Sequence, residues 1–300
     1  MRLPLLMLTL LCSLNAFAQY TSTAGHNAPA PAKVSVERTA KDGQKYFETE
    51  VREAPRDSYG NAAGAQYDLA VDGAFDGQTV FVVDLYRQDF SRAAEAIRKK
   101  GFSVVRYQEV PPLAEFKAAL AKSNQFWIIA SCDDSVHLSK EHQAAVKKFF
   151  DAGHGVYLWG DNDPCNADAD SLASMLIDAR VKGNLYGDQV VGRSEGAGKA
   201  GVAREHLLST GVENIYEGIT VATVKPAGAM TPVIYGSAGN LVTAAFEGNQ
   251  KRLIVDGGFT RLSNKWDSAG TGRYVMNAAA WLANYERFGD TVVAGQFKKK

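Results

Sequence analysis

Three continuous apolar runs constrain this chain more than any other feature: Thr79–Tyr86 (TVFVVDLY), Gln125–Ser131 (QFWIIAS) and Val156–Trp159 (VYLW). A strand that is apolar at nearly every position, rather than at every second one, is buried on both faces. Amphipathic segments of helical length separate and flank these runs: Phe90–Lys100, Leu113–Ala121 and Ser139–Ala152. Strands alternating with such helices make βαβ units, which give a mainly parallel sheet with right-handed crossovers. The expected class is α/β.

Local signals fix the ends. Gly101 stops the first helix, Ser139 caps the third, and Gly153 with Gly155 ends it. Phe102–Tyr107 reads as a further strand of the same layer. The second half is mixed. Val190–Val191 and Ile219–Val224 read as short strands, and Arg252–Val255 as a final apolar strand. Pro232–Tyr235 and Leu241–Phe246 flank Ser-Ala-Gly-Asn, a hairpin signal. Asp168 or Asp170 is placed to cap a helix running to about Ala179. Thr271 is placed to cap a long one over Gly272–Arg287.

The first residues, MRLPLLMLTLLCSLNAFAQ, combine one Arg, an apolar run and the triplet Ala16-Phe17-Ala18. That is the pattern of a secretory signal peptide cleaved after Ala18, so the chain is expected in the periplasm or secreted. Gln19–Gly77 is rich in Ala, Gly, Pro and Ser and reads as a flexible N-terminal segment, with one strand at Lys45–Val51. The expected layout is residues 1–18 signal peptide, 19–77 flexible segment, 78–290 α/β domain and 291–300 tail. Beyond the signal peptide, 32 basic residues face 33 acidic ones. That balance gives no support for nucleic-acid or membrane-surface binding, and no later run is long enough for a membrane span. Two cysteines remain, Cys132 and Cys165. If their strands are neighbours, both lie beyond the carboxyl ends, and in an oxidising compartment they either pair as a disulfide or stay as separate thiols.

The order of these signals resembles a family. LSKEHQAAVKKFFDAGHGVYLWGD is similar to the helix-and-strand segment of the class I glutamine amidotransferase-like superfamily, in particular its trehalose-utilisation branch. Glu205–Gly211 (EHLLSTG) resembles that branch's His-Pro-Ile-Thr-x-Gly segment. Arg273, Asn277 and Trp281 match its C-terminal Arg-x-x-x-Asn-Ala-x-x-Trp helix. The resemblance covers about Gln78–Glu286 and implies a flavodoxin-like three-layer sandwich. It also implies a Cys nucleophile on the elbow after a strand, with a His behind it. This chain has Trp159-Gly160-Asp161 at that elbow, and no His follows the final strand. The departure removes both halves of a glutaminase mechanism. Cys132 with His137 is a conceivable nucleophile and base, which a disulfide would eliminate.

Ligands in open α/β sheets sit outside the strand carboxyl ends. The candidates there are Asp84, Asp133, Asp134, Asp161 and Asp163, which can bind a polyol or exchange protons. Asp161 and Asp163 are also candidate ligands for a divalent cation, Ca²⁺ or Mg²⁺, although the spacing is not that of an EF-hand. The competing reading makes these residues turn formers, caps and ordinary loop polarity. A third cluster is Asp256–Arg261, Lys265, Trp266 and Gly270–Tyr274. There the Gly-Thr-Gly helix start can meet an anion, Arg261, Lys265 and Arg273 add charge, and Trp266 can stack on a ring. The alternative is a structural turn tied by Arg–Asp pairs. Three functions follow: binding of a small polar ligand or an envelope protein, carboxylate- or metal-assisted hydrolysis or lysis of a sugar or amide, and a purely structural interaction module.

Overall fold

A computed structural model describes residues 32–52, 55–266 and 269–288. The expected signal peptide and C-terminal tail lie outside the described residues.

The core is an eight-stranded mixed sheet. Its parallel part contains β3 (Thr79–Asp84), β4 (Ser103–Tyr107), β5 (Gln125–Ile129), β6 (Gly155–Trp159) and β14 (Lys251–Asp256). Three antiparallel strands extend it: β13 (Leu241–Gly248), β12 (Met230–Tyr235) and β9 (Gly201–Val202). The spatial order is β4-β3-β5-β6-β14-β13-β12-β9. The three apolar runs thus become β3, β5 and β6 at the centre, where both faces are covered.

Helices cover the two faces. α1 (Ser91–Lys99) and α5 (Thr271–Leu282) bury Ile97, Val275 and Trp281 against the face that carries Val80, Trp127 and Tyr157. The opposite face carries Phe81, Phe126 and Leu158. It receives Phe116 of α2 (Leu113–Ala121), Val146 of α3 (Lys140–Asp151) and Leu172 of α4 (Ala167–Ile177). This is a three-layer α/β sandwich. Ser139 caps α3 as its sequence suggests, accepting from the His142 N–H. Gly101 ends α1 at φ +101°, where an added Cβ would come within 2.7 Å of a backbone nitrogen.

Three elements differ from the sequence reading. α4 starts after Asn166, because Asp168 and Asp170 are engaged elsewhere. The C-terminal helix stops at Leu282 and a short α6 (Tyr285–Phe288) follows. Asn284 takes φ +52° and its amide bridges the carbonyls of Gly153 and Gln250. The segment before Gln78 is built into the body over much of its length: Leu69, Ala70 and Phe75 are fully buried in the core. Ahead of it, β1 (Ala32–Thr39) and β2 (Lys45–Arg52) form an antiparallel hairpin whose β2 side chains are almost all exposed. β7 (Arg180–Tyr186), which carries little apolar signal, pairs with β11 (Thr220–Lys225). β8 (Val190–Val191) pairs with β10 (Ile215–Tyr216).

Candidate functional site

Register places Asp84, Ile129, Trp159, Asp256 and Thr243 in one row across the carboxyl end of the sheet. The loops after β3, β5, β6 and β14 therefore converge, as the sequence implies. Most of the acidic and basic groups brought there are consumed in holding those loops.

Asp161 follows β6. Gly160 makes the turn, donating to the Asp256 carbonyl at 2.7 Å and accepting from the Phe259 N–H at 3.0 Å. The Asp161 carboxylate turns inward and is 1% exposed. One oxygen accepts from the Asn162 N–H at 2.8 Å and the Thr220 hydroxyl at 3.1 Å, the other from the Thr260 N–H at 3.2 Å. It ties β6 to β11 and to the turn after β14. Burial pushes its pKa up to about 6, against the pull of these hydrogen bonds. A carboxyl raised to that range suits acid–base chemistry. This one, sealed beneath its own donors, has no face left for a substrate.

Arg261 and Asp256 form a second tie, both fully buried. The Arg261 guanidinium donates to Asp256 at 2.9 Å and to the Glu217 carbonyl at 2.8 Å. Asp256 also accepts from Thr243 at 2.7 Å, Tyr157 at 3.2 Å and the Gly258 N–H at 2.9 Å. Burial raises the Asp256 pKa, opposed by Arg261. Tyr157 and Tyr274 share a 2.7 Å hydrogen bond beneath this pair, and burial raises both phenols.

The other candidates are placed as follows. Asp84 is buried, bound by the Arg106 guanidinium and by the Arg87 N–H at 2.9 Å, and desolvation raises its pKa. Asp133 and Asp134 are exposed. Asp133 accepts from the Ser135 hydroxyl and N–H, which hold its pKa down. Asp163 is exposed and accepts from Asn166 at 2.6 Å and the Gly183 N–H at 3.0 Å. Asp161 and Asp163 therefore serve different partners, and among the described residues no group of three His, Cys, Asp or Glu side chains is placed to hold a metal. Lys265 pairs with Asp188 at 2.8 Å. Trp266 is mostly buried in the core beside Gly272 and, with Gly270, Gly272 and Arg273, lines a cavity of about 310 Å³.

Arg273 serves a different part of the molecule from Asp161. It donates to Asp68 at 2.7 Å, to the Gly211 and Gly64 carbonyls at 3.0 Å each, and to the Ala62 carbonyl. The chain's own N-terminal segment thus occupies the guanidinium that the sequence offered to an anion.

Cys132 and Cys165 are joined, S–S 1.96 Å, linking the loops after β5 and β6. The imagined thiol–His137 pair is therefore absent. His137 instead pairs with Asp168 at 2.9 Å. The partners Thr220, Thr260 and Arg106 escaped the sequence reading, because a single hydroxyl or arginine in a loop or strand carries no periodic signal.

No family model matches the chain, and no curated protein sequence matches it. Solved structures similar to it include an exo-β-1,4-mannosidase from an Opitutaceae bacterium (12% identity, 70% of this chain and 36% of that one, TM-score 0.40). They also include a putative GMP synthase subunit protein from Thermoplasma acidophilum (10% identity, 71% and 98%, TM-score 0.42). A third is PurLQS from Thermotoga maritima (8% identity, 68% and 97%, TM-score 0.40). The chain spans about a third of the mannosidase's length. The α/β assignment stands on the sheet itself.

Proposed function

We propose that this chain is an exported binding module of amidotransferase-like architecture, akin to the trehalose-utilisation branch, that performs no catalysis at its strand edge. The observation that carries this reading is Asp161. At the elbow where the resembled enzymes hold a nucleophile, it is a buried carboxylate with both oxygens hydrogen-bonded to its own loops. The disulfide removes the nearby thiol and fits an oxidising envelope or extracellular compartment. Among the described residues no helix is long and apolar enough to cross a membrane. Its role is to present a surface to a small polar molecule or an envelope protein.

The test is turnover. The purified chain should release no ammonia from glutamine and hydrolyse no amide or glycoside substrate above the buffer rate. A turnover abolished by Asp161→Asn at unchanged melting temperature would overturn the reading.

A further inference from the structure

Away from the strand carboxyl edge, the antiparallel end of the sheet bears an open cleft of about 580 Å³. That is within the range of small-molecule sites. One wall is the turn Ser194–Ala197. The Ser194 hydroxyl fixes it, accepting from the Gly196 N–H at 3.2 Å and sharing its one proton between the carbonyls of Lys199 at 2.8 Å and Gly196 at 2.9 Å. Gly201 permits this wall, since at φ +130° an added Cβ would lie 2.4 Å from the Gly192 carbonyl oxygen. The rings of Pro232 and Tyr235 and the Ala203 methyl supply apolar surface.

His206 lines this cleft and is nine-tenths buried. Its Nδ1 accepts the Leu208 N–H at 3.2 Å, which makes Nε2 the protonated nitrogen of the neutral ring. That N–H has no hydrogen-bond partner among the described residues and keeps contact with solvent, so it is available as a donor. Burial lowers the His206 pKa to about 4, so the ring is neutral at pH 7. Around it the cleft carries Arg204, Glu195 and Glu205, all exposed and outside any ion pair among the described residues. The pattern is one neutral donor, one cation and two anions beside an apolar wall.

The sheet edge adds a further element. β9 covers β12 only at Ile234 and Tyr235, and the Ala203 N–H donates to the Val233 carbonyl at 2.8 Å. Thr231 and Pro232 lie beyond that pairing and line the cleft, where Pro232, lacking an N–H, blunts the edge against a full added strand.

We infer that this cleft binds a small zwitterion bearing an α-amino group and a carboxylate, either a free amino acid or a short peptide. Arg204 and the His206 N–H receive the carboxylate, Glu195 or Glu205 the ammonium, and the Pro232–Tyr235 wall the side chain. The inference gives the binding module its ligand and so rests on that reading. Turnover of a bound compound would sink the module and leave the cleft standing, whereas absence of binding sinks the cleft alone.

The experiment is calorimetric titration of the full chain with the standard amino acids and their alanyl dipeptides. For each binder, the N-acetyl and C-amide forms are titrated too. At least one free form should bind, with each blocked form at least tenfold weaker. Arg204→Ala should weaken binding about tenfold, ~1.4 kcal/mol, at unchanged melting temperature. His206→Gln, which keeps an N–H donor, should retain binding better than His206→Phe. Dipeptides binding more tightly than free amino acids would assign the peptide source, and the reverse the amino acid. No heat from any free form at about 10 mM overturns the inference. So does binding indifferent to blocking or to Arg204→Ala.

Discussion

The two ends of the sheet treat polar groups in opposite ways. At the parallel end, Asp84, Asp161, Asp256 and Arg261 are all buried and each bonds to neighbouring loops, with only the Nε atoms of Arg261 and of Arg106, the partner of Asp84, left without a partner in these ties among the described residues. At the antiparallel end, Arg204, Glu195 and Glu205 stand exposed around a cleft and His206 keeps one free N–H among the described residues. A buried charge must be matched within the protein, because desolvation is costly. An exposed one is held by nothing and remains available. Charged residues at the usual ligand edge of an α/β sheet thus act here as fasteners, and availability has moved to the edge where pairing runs out.

The largest effect should come from the Asp256–Arg261 pair. Arg261→Ala would leave a buried carboxylate without its cation and the Glu217 carbonyl without its donor, at a cost of about 3–5 kcal/mol. A urea unfolding midpoint measures this. A loss below about 1 kcal/mol would mean that the parallel edge is not fastened through this pair.

Next comes the covalent fastener. Cys132 and Cys165 are 33 residues apart, and closing a loop of that size lowers unfolded-state entropy by the equivalent of about 3–4 kcal/mol. The Cys132→Ser, Cys165→Ser double variant should unfold at correspondingly lower urea and still bind whatever occupies the far cleft. Loss of that binding at unchanged fold would couple the two ends and erase the contrast between them.

The sheet was legible in the sequence because burial on both faces writes itself into consecutive residues such as Phe126–Ile129. The hairpin around Ser237–Asn240 was legible because its turn needs particular residues. The convergence of Asp84, Asp161 and Asp256 was legible too, since each follows or ends a parallel strand. Their fate was not. Whether a carboxylate faces solvent or its own loops depends on partners 59 and 99 residues away, Thr220 and Thr260 for Asp161. Trp266 and Arg273 read as ligand groups for the same reason: the residues that bury one and occupy the other, among them Gly272, Asp68 and Gly211, form no local pattern. The segment before Gln78 looked like linker by composition, yet Leu69 and Phe75 are enough to seat it in the core.

The Asp161 fastener has a pH signature. Its folded pKa is raised from near 3.8 to about 6, so the folded state holds the proton more tightly than the unfolded chain. The corresponding stability is complete below about 3.8 and is lost as pH rises through about 6. Between pH 7.5 and 5, wild type should gain about 1.4 kcal/mol over Asp161→Asn, which cannot titrate. Asp84 and Asp256 are raised in the same direction and are common to both proteins, so the difference isolates Asp161. Parallel pH profiles for the two proteins would show that Asp161 is as well solvated folded as unfolded, and the sealed edge would then be open.

The smallest expected effect sharpens the comparison most. Arg204→Ala and Glu205→Ala remove exposed charges that are in no ion pair among the described residues, so each should move stability by no more than about 0.5 kcal/mol. Melting curves of Arg204→Ala beside Arg261→Ala would then span the range from free group to fastener with one chemical change, arginine to alanine, at two places along one sheet. If Arg204→Ala instead melted well below wild type, its guanidinium would be holding the chain together in solution. The cleft would then be a second sealed edge, and the contrast between the two ends would fail at its open side.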